Sequence, residues 1–414
     1  MATNCRFCGE HLIDKVLDLG LSPISNEFRA AANADHEPQT YYPLAVMICR
    51  KCWLAQLTDV RTPQHFNAHY AYFSSYSQSW LEHSQLYATT MIARLGLIPA
   101  SQVVEIASND GYLLQYFKAA GIPVLGIEPS ANVAEVAIQT RSIPTLVKFF
   151  NQQTAEELIA TGIHADLVTA NNVLAHVPDP NGFLAGFKRL LKPLGTVTFE
   201  FPHLLRLLAE CQFDTIYHEH YSYLSLGIVE RMLAAHQLEA YDVDELTTHG
   251  GSLRVYVRHR GAAVTAPSGQ ENLRKVRGDE AQYGLEQIDT YQRFGQEMRN
   301  RKLELLSFLI DVARAGKRVV GYGAPAKGNT LLNYCGIGPE LLPYTVDRNP
   351  YKQEQYLPGV NIPVYPPERI VQDRPDYVLI LPWNLRDEIM AQLSTIKSWG
   401  GRFVVAIPKL EILS

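Results

Sequence analysis

The sequence predicts an α/β protein in which two β-α-β units follow a small, cysteine-bearing β module. Three observations support this class. Two Cys-x-x-Cys pairs lie near the start of the 414-residue chain, strand-like and helical segments then alternate in two separate stretches, and 47% hydrophobic against 19% charged residues is an ordinary globular balance. The length corresponds to roughly two to three domains, so each stretch can form its own core.

The charge balance argues against two classes of partner. Thirty-seven Lys and Arg residues against 42 Asp and Glu residues give a net charge of −5 at pH 7, so no strong positive field attracts nucleic acid or an anionic membrane. The first residues lack the basic flank and apolar core of a secretory signal, and no apolar run approaches the roughly 18 residues that span a bilayer. We therefore expect a cytoplasmic protein, monomeric or weakly oligomeric, without nucleic-acid or membrane partners.

Four of the six cysteines form two knuckles, Cys5-x-x-Cys8 and Cys49-x-x-Cys52. In a reducing cytosol, two such pairs are typical of a tetrahedral zinc site, and disulfides or a redox-active pair are the alternatives. Four thiolates leave no position for water, so the zinc would be structural. The isolated Cys211 and Cys335 are expected to be buried apolar side chains.

The residues around the knuckles predict the first domain, over residues 1–65. Strand-like runs occupy 16–20 and 42–49. An aromatic, hydroxyl-rich stretch (66–80) follows and leads into a helical segment that ends near residue 94. This stretch opens the second predicted domain, over residues 66–265.

The first β-α-β unit contains a polar loop between a strand (103–107) and a helix that starts at Tyr112. Further strands are predicted over 124–128, 166–175 and 196–202, with a helical segment (182–195) between the last two. The loop, EIASNDG (105–111), has a single glycine and acidic groups instead of the G-x-G-x-x-G of dinucleotide sites. Glu128 ends the second strand, where a carboxylate can bind both ribose hydroxyls. Together these features predict S-adenosylmethionine (SAM), and a loop without a ligand is the alternative.

The segment FDTIYHEHYSY (213–223) concentrates two carboxylates, two imidazoles and three tyrosines in eleven residues. Unpaired charges are costly in a core, and a surface loop does not need this composition. Because imidazole has a pKa near 6.5, the segment predicts an acid/base site. Metal binding by His-x-His is the alternative.

A second β-α-β unit follows a strand (253–258) and a polar helical stretch (269–315), and forms the third predicted domain, over residues 266–414. Its strands are expected over 318–324, 344–350, 376–383 and 403–408. The turn GYGAPAKGNT opens a helix near Lys327, the usual place for a phosphate, although it lacks the lysine position of a P-loop. The glycines and Lys327 predict a diphosphate site, to which Asp347 and Arg348 could add contacts. A glycine turn with only a structural role is the alternative.

These motifs, in this order, resemble the SAM-dependent sugar C-methyltransferases that act on nucleotide-activated keto-deoxysugars. The resemblance covers essentially the whole chain and includes YFSSYSQSW, NNVLAHVPD, YHEHYSY, HGGSLRVYV and GYGAPAKGNTLLN. It implies a zinc module, a class I SAM-methyltransferase domain and a C-terminal Rossmann-like domain. The sugar nucleotide is then expected between the last two.

The resemblance also implies residue roles. The expected catalytic residues are Tyr72, Tyr76, His176, Tyr217, Glu219 and His220, with His220, Glu219 and His176 as candidate bases. The expected cofactor residues are Glu105, Ser108, Asn109, Asp110, Gly111, Glu128, Pro129, Asn171 and Asn172. The expected substrate residues are His249, Ser252, Arg254, Ala324, Lys327, Gly328, Asn329, Asp347, Arg348 and Trp383.

The sequence therefore predicts C-methylation of a nucleotide-diphosphate 4-keto-deoxysugar, most simply at C3. A ketone acidifies the neighbouring C–H bond, a base removes the proton, and the enolate attacks the methyl group. Methylation at C5, SAM-dependent O- or N-methylation, and a zinc-dependent scaffold or nucleotide-binding regulator are the alternatives.

Overall fold

The computed structural model describes residues 4–30, 38–58, 73–264 and 266–413. The N-terminal part contains four strands: β1 Asp14–Ser22, β2 Arg29–Ala30, β3 Tyr42–Ile48 and β4 Ala55–Leu57. The central part contains α1 Gln78–Leu95, β5 Val103–Ile106, α2 Leu114–Ala119, β6 Val124–Ile127, α3 Ala131–Arg141, β7 Thr145–Leu146, α4 Gln152–Ala160, β8 Ala165–Asn171, α5 Pro180–Leu190, β9 Leu191–Pro202, α6 Leu204–Ala209, β10 Ser222–Tyr223, α7 Leu226–Ala235, β11 Leu238–Leu246 and β12 Ser252–His259. The C-terminal part contains α8 Gly269–Tyr283, α9 Ile288–Arg314, β13 Val319–Tyr322, α10 Ala326–Cys335, β14 Thr345–Val346, β15 Gln355–Tyr356, β16 Val364–Tyr365, α11 Glu368–Asp373, β17 Tyr377–Ile380, α12 Arg386–Gln392, β18 Arg402–Val405 and β19 Glu411–Leu413.

The central sheet has seven strands in the order β11-β12-β9-β8-β5-β6-β7. The order reverses at β5, whose neighbours β6 and β8 both run parallel to it, and β12 lies antiparallel between β9 and β11. This arrangement confirms the predicted class I methyltransferase-type domain. Ligands of such sheets bind at the carboxyl ends of the strands beside the reversal point.

The C-terminal sheet has the order β16-β14-β13-β17-β18-β19, and its strands are parallel up to the antiparallel edge strand β19. It also reverses at its first strand, β13, so the predicted second Rossmann-like unit is confirmed. The predicted strand over 344–350 is much shorter, since only Thr345 and Val346 pair. The polar stretch before this sheet forms two helices, α8 and α9.

The N-terminal sheet, β1-β3-β4-β10, is antiparallel and takes its last strand from the segment predicted to be catalytic. At the opposite edge of this sheet, β1 packs on α9 and α10. Outside the sheet, β2 pairs with β15 of the C-terminal part. The hydrophobic core around Leu17 and Val46 continues into the C-terminal sheet, whereas Cys49 and Leu54 pack with the core of the central sheet. The zinc module is thus bound to both larger units.

Local sequence explains several helix boundaries. The Ser77 hydroxyl caps α1 by accepting the Trp80 N–H, and Gly96 ends this helix in a left-handed conformation. Asp179 accepts two N–H groups at the start of α5, with Pro180 in the first helical position. The helix ends at Leu190, so the KPLG residues predicted to end it belong to β9. Among the described helices, none is long and apolar enough to cross a membrane.

Candidate active site

The four knuckle cysteines meet in one cluster, with all four Sγ atoms within 4.8 Å of one another. The Sγ atoms of Cys5 and Cys52 are 3.5 Å apart, and those of Cys8 and Cys49 are also 3.5 Å apart. A tetrahedron with Zn–S bonds of about 2.3 Å has edges of roughly 3.8 Å, whereas a disulfide bond measures about 2.05 Å. The donor set therefore fits a closed structural zinc, and Cys211 and Cys335 lie buried elsewhere, as predicted.

The two knuckles have the same backbone turn. The N–H of Gly9 donates to the Cys5 carbonyl at 2.9 Å, and the N–H of Trp53 donates to the Cys49 carbonyl at 2.8 Å. Both turn residues have a left-handed φ, 75° for Gly9 and 64° for Trp53. Such a conformation is unfavourable for Trp53 and is retained where the surroundings enforce it, here by the zinc-ligand turn.

The zinc module holds the backbone of the 217–223 segment. The guanidinium of Arg6, inside the first knuckle, donates to the Tyr221 carbonyl and, at 3.0 Å, to the Ser222 hydroxyl. The N–H of Leu57 also donates to the Tyr221 carbonyl, at 3.0 Å. The segment with the candidate base therefore ends in β10, the edge strand of the zinc-module sheet.

Two further side chains of this segment face the same module. The Asn26 amide donates to both carboxylate oxygens of Glu219, at 3.0 and 2.7 Å. The ring of His218 donates through Nε2 to the Pro43 carbonyl at 3.3 Å. His218 is thus placed in a packing role, and Asn26 is a residue that sequence reasoning missed because it is 193 positions from Glu219.

The tautomer of His220 follows from its two hydrogen bonds. Its Nδ1 lies 2.8 Å from the Thr215 carbonyl oxygen, which can only accept, so Nδ1 is protonated. Its Nε2 lies 2.7 Å from the Tyr217 hydroxyl, which donates to the remaining lone pair. The unprotonated Nε2 of His220 is therefore the basic nitrogen of a ring held in one orientation.

His176 completes the pair of imidazoles, with its ring centroid 4.6 Å from that of His220 at a steep interplanar angle. Burial lowers the pKa of His176 to about 4, while its hydrogen bond to the Glu219 backbone acts in the opposite direction. Burial also holds the pKa of His220 well below its usual range, and repulsion between the two protonated imidazoles acts in the same direction. Both rings are neutral at physiological pH.

These pKa shifts predict the pH dependence of turnover. The neutral imidazole is the active form of a base, so a lowered pKa keeps His220 active into more acidic solution than the usual value of about 6.5. We expect kcat/KM to remain flat from pH 8 through about pH 6.5 and to decline only below it. As a control, the enzyme is preincubated at each pH and then assayed at pH 7.5, which detects irreversible inactivation. An inflection of the kcat/KM profile near pH 7 would contradict the prediction.

The predicted cofactor loop is arranged around Glu128. One carboxylate oxygen accepts the Asn109 N–H at 3.0 Å and the other accepts the Ser130 N–H at 2.8 Å. Each oxygen keeps a lone pair for a ribose hydroxyl. Glu105 is buried beneath the loop, and burial raises its pKa well above the usual value despite a hydrogen bond to Tyr112.

Backbone strain marks the same loop. Ala107 and Asn109 have left-handed φ values of 55° and 48°, and such strain clusters at ligand sites. Gly111 has φ 78°, and a Cβ there would lie 3.1 Å from the Ile143 side chain. Ser108 is also buried in this loop. The loop that the sequence predicts to bind the cofactor thus has a strained backbone, which its packing holds in place.

A short helical turn, Ser74–Tyr76, covers the loop. The N–H of Ser74 donates to the Asn109 side chain at 2.9 Å, and the Ser75 hydroxyl donates to the Asp110 carboxylate. Tyr76 packs against Phe73 and is half exposed. Tyr72 lies outside the described residues.

Asn171 ends β8 and Asn172 follows it, beside the cofactor loop. The N–H of Asn172 donates to the Glu200 carbonyl at 2.7 Å, and its φ is 56°. The amide of Asn171 accepts from Thr169 at 3.2 Å. Pro129 lies between Glu128 and Ser130 and turns the chain after β6.

We expect Glu128→Ala to weaken SAM binding by about 1.5–3 kcal/mol, roughly 10- to 150-fold in Kd, since a charged acceptor for the ribose is lost. Titration calorimetry with SAM measures this change. Glu135→Ala is the matched control, because it removes one carboxylate from an exposed position on α3. An unchanged Kd for Glu128→Ala would remove this residue from the site.

Sequence reasoning missed a buried ionic cluster next to the cofactor edge. The Glu200 carboxylate accepts from Arg254 at 2.7 Å and lies 3.1 Å from His83 Nε2. Burial acts to raise the pKa of Glu200, but His83 and Arg254 lower it to about 2. The predicted substrate residue Arg254 is thus paired inside the protein. The pairing of β9 with β12 could have indicated it, since Glu200 and Arg254 are in register.

The turn before β12 places His249 beside this cluster. His249 has φ 55°, and its ring meets the edge of Trp80 at 5.2 Å between centroids. Burial lowers the pKa of His249 to about 4, with a contribution from the charge of Lys327. The Ser252 hydroxyl donates to the Thr248 carbonyl at 3.0 Å and so closes the turn.

The C-terminal unit repeats the carboxylate arrangement of the first. Asp347, after β14, accepts the N–H of Ala324 at 2.7 Å, as Glu128 accepts that of Asn109. The amide of Asn329 is 1% exposed and has no hydrogen-bond partner among the described residues. A buried amide of this kind needs a further partner, such as an ordered water or a ligand group.

Three other predicted substrate residues have distinct positions. A Cβ at Gly328 would lie 2.8 Å from Leu381, so this glycine allows α10 to approach β17. Arg348 is exposed. The indole of Trp383 is buried and donates to the Asp214 carboxylate at 2.7 Å, which joins the C-terminal unit to the segment before His220.

Comparisons with known proteins cover the whole chain. A "Putative zinc binding domain" model matches residues 5–66, a "Methyltransferase domain" model residues 80–243 and a "C-methyltransferase C-terminal domain" model residues 247–408. The C-methyltransferase NovU of Streptomyces niveus is 34% identical over 411 residues, which cover 99% of this chain and 96% of NovU. The ubiquinone biosynthesis O-methyltransferase of Actinobacillus pleuropneumoniae serotype 5b is 32% identical over 24% of this chain and 44% of that protein. Magnesium protoporphyrin IX methyltransferase from Synechocystis PCC 6803, solved with bound SAM, has a TM-score of 0.33 and 15% identity over 44% of this chain and 82% of that chain.

Proposed function

The chain belongs to the SAM-dependent sugar C-methyltransferase family, and on this premise we propose that its substrate is a nucleotide-diphosphate 4-keto-deoxysugar that it methylates at C3. SAM is the methyl donor and zinc is the structural metal of this enzyme. The observation that carries the proposal is the fixed tautomer of His220, whose basic Nε2 suits removal of a carbon-bound proton. Methylation of an oxygen or nitrogen acceptor needs less acid/base assistance, because no carbon-bound proton has to be removed and no enolate has to be stabilised.

The residues give the following proton-transfer step. The hydroxyl of Tyr217 occupies Nε2 in the free enzyme, so the substrate must displace it before His220 can accept the proton from C3. As Nε2 takes the proton, the C–H electron pair forms a C=C bond and the C4 ketone becomes an enolate. The positive charge on the imidazole is stabilised because Nδ1–H already donates to the Thr215 carbonyl. SAM supplies the electrophilic methyl group that the enolate carbon attacks.

The nucleotide is assigned to the C-terminal unit. Two features support this placement: the Asp347 carboxylate just after β14, and the buried amide of Asn329 near the start of α10. In an open α/β sheet, both positions lie at the ligand-binding edge.

The oligomeric state of the enzyme also stays a prediction, namely a monomer or a weak oligomer.

Carbon-13 labelled SAM tests the proposal. We expect the enzyme to transfer the label to C3 of dTDP- or GDP-linked 4-keto-6-deoxyhexoses, and to leave the matched 4-hydroxy sugars unlabelled because they cannot form the enolate. Heteronuclear NMR locates the new methyl group. Both C3 and C5 neighbour the ketone, so label at C5 would correct the position, and label on none of these sugars would contradict the substrate class.

A further inference from the structure

Lys327 lies in the first turn of α10, and its side chain contacts the turn that follows β17. Its ammonium donates to Asn384 Oδ1 at 2.8 Å and lies 4.6 Å from the centroid of the Trp383 ring. Among the described residues, this is the one hydrogen bond of the ammonium, so two of its three N–H groups remain for a ligand. The side chain is thus a partly buried cation held in place by one aromatic and one amide contact.

The surroundings of Lys327 lead to the catalytic histidines. Trp383, under the ammonium, donates to Asp214, and the next residue, Thr215, holds His220 through its carbonyl. On its other side, the Trp383 ring touches the turn with His249, since a Cβ at Gly250 would lie 2.3 Å from the ring. The Lys327 side chain therefore reaches the junction between the C-terminal unit and the proton-transfer site.

Charge effects agree with this location. Burial lowers the pKa of Lys327, and the Asp214 carboxylate opposes that shift. In turn, the charge of Lys327 lowers the pKa of His220 and of His249, in addition to burial. These charges influence one another because the groups lie close together at the contact between Trp383, Asp214 and the Gly250 turn.

We propose that Lys327 is a catalytic residue whose ammonium donates a hydrogen bond to the C4 ketone oxygen and stabilises the enolate that forms when His220 removes the C3 proton. The proposal rests on the proposed function. No bond to Lys327 forms or breaks: the C–H electron pair becomes the C=C bond, the ketone π pair moves to oxygen, and the proton stays on His220. When SAM is bound, the C=C electron pair would form the new C–CH3 bond as the S–CH3 bond breaks with its pair remaining on the sulfur of S-adenosylhomocysteine, the C=O bond would be restored, and His220 would lose its proton to solvent as the product leaves.

Two physical arguments favour this role over contact with the diphosphate. A fixed cation in a dry site stabilises developing charge without reorganisation, and loss of one such donor typically costs about 10²- to 10³-fold in kcat. The nearby Asp214 carboxylate attracts the partly buried ammonium before the substrate arrives, which limits the cost of desolvating it. A diphosphate, by contrast, is bound equally in the ground and transition states and would affect substrate affinity.

The test compares Lys327→Met with wild type in three measurements. We expect kcat, and the exchange of the C3 proton with deuterated water in the presence of S-adenosylhomocysteine, to fall by about 10²- to 10³-fold. We expect the Kd of the sugar nucleotide to change by less than roughly threefold, about 0.6 kcal/mol. Lys397→Met, an exposed lysine of the same unit, is the matched control and should behave as wild type.

Since Lys327→Met leaves Asp214 buried without its cation, the double variant Asp214→Asn with Lys327→Met removes both charges and keeps an acceptor for Trp383. It should fold, retain zinc and show the same loss of exchange. A Kd raised 100-fold with normal kcat, or undiminished exchange in either variant, would overturn the role of Lys327 alone. A wild-type enzyme that neither exchanges nor methylates 4-keto sugars would instead overturn the proposed substrate, and this role with it.

Discussion

Replacing His220 with Asn is expected to lower kcat by about 10²- to 10⁴-fold while SAM and the sugar nucleotide still bind. An asparagine amide can still donate to the Thr215 carbonyl, so the local backbone keeps one of the two contacts of the ring. It has no basic nitrogen in place of Nε2, so the proton of the substrate has no acceptor. The loss should therefore appear in turnover and not in affinity.

Solvent exchange of the substrate C3 proton, with S-adenosylhomocysteine in place of SAM, isolates this step. Wild type should exchange and His220→Asn should not. His164→Asn, an exposed histidine of the central unit, is the matched control. Glu219→Gln should cost less, because the described contacts of its carboxylate are to Asn26. Near-normal exchange in His220→Asn would transfer the role of base to His176 or Glu219.

Replacing Cys49 with Ser is expected to abolish zinc binding and most of the soluble yield together. Cys49 is fully buried, and its thiolate is one of four equivalent ligands, so a hydroxyl in its place leaves an incomplete tetrahedron inside the protein. Structural zinc sites contribute on the order of 10 kcal/mol of folding free energy in small domains. Metal analysis of wild type should give close to one zinc per chain.

Cys335→Ser is the control for this variant, since Cys335 is also buried but lies outside the cluster. It should retain zinc and most of the yield. The small soluble fraction of Cys49→Ser should also show reduced proton exchange, because the zinc module holds the backbone at Tyr221. Metal-free protein with unchanged thermal stability would contradict the structural role of zinc.

The parts predicted from sequence are those encoded over short distances. The knuckle spacing places two thiolates on one side of an ion, and buried apolar runs followed by polar turns are typical of the parallel strands of both sheets. The cofactor loop was recognisable because its residues, from Glu105 to Gly111, are contiguous. In each case the residues that act together lie within a few positions of one another.

The parts that were not predicted depend on contacts between distant segments. Nothing near Asn26 indicates that its amide faces Glu219, and nothing near His83 indicates a partner 117 positions away. The pairing of β10 with β4 is also nonlocal, since Ser222 and Tyr223 form a two-residue strand too short for a periodic pattern. Such pairings are set by the packing of whole units, which local propensity does not encode.

The edge-strand position of β10 has a consequence for recombining enzymes of this family. By chain order, residues 217–223 would travel with the central sheet when segments are exchanged between two homologues. By contacts, however, their pairing partners are β4 and Arg6. A chimera cut at the linear domain borders would therefore join one parent's strand β10 to the other parent's zinc module. Functional crossovers should instead inherit residues 4–58 and 217–223 from the same parent, as a discontinuous block.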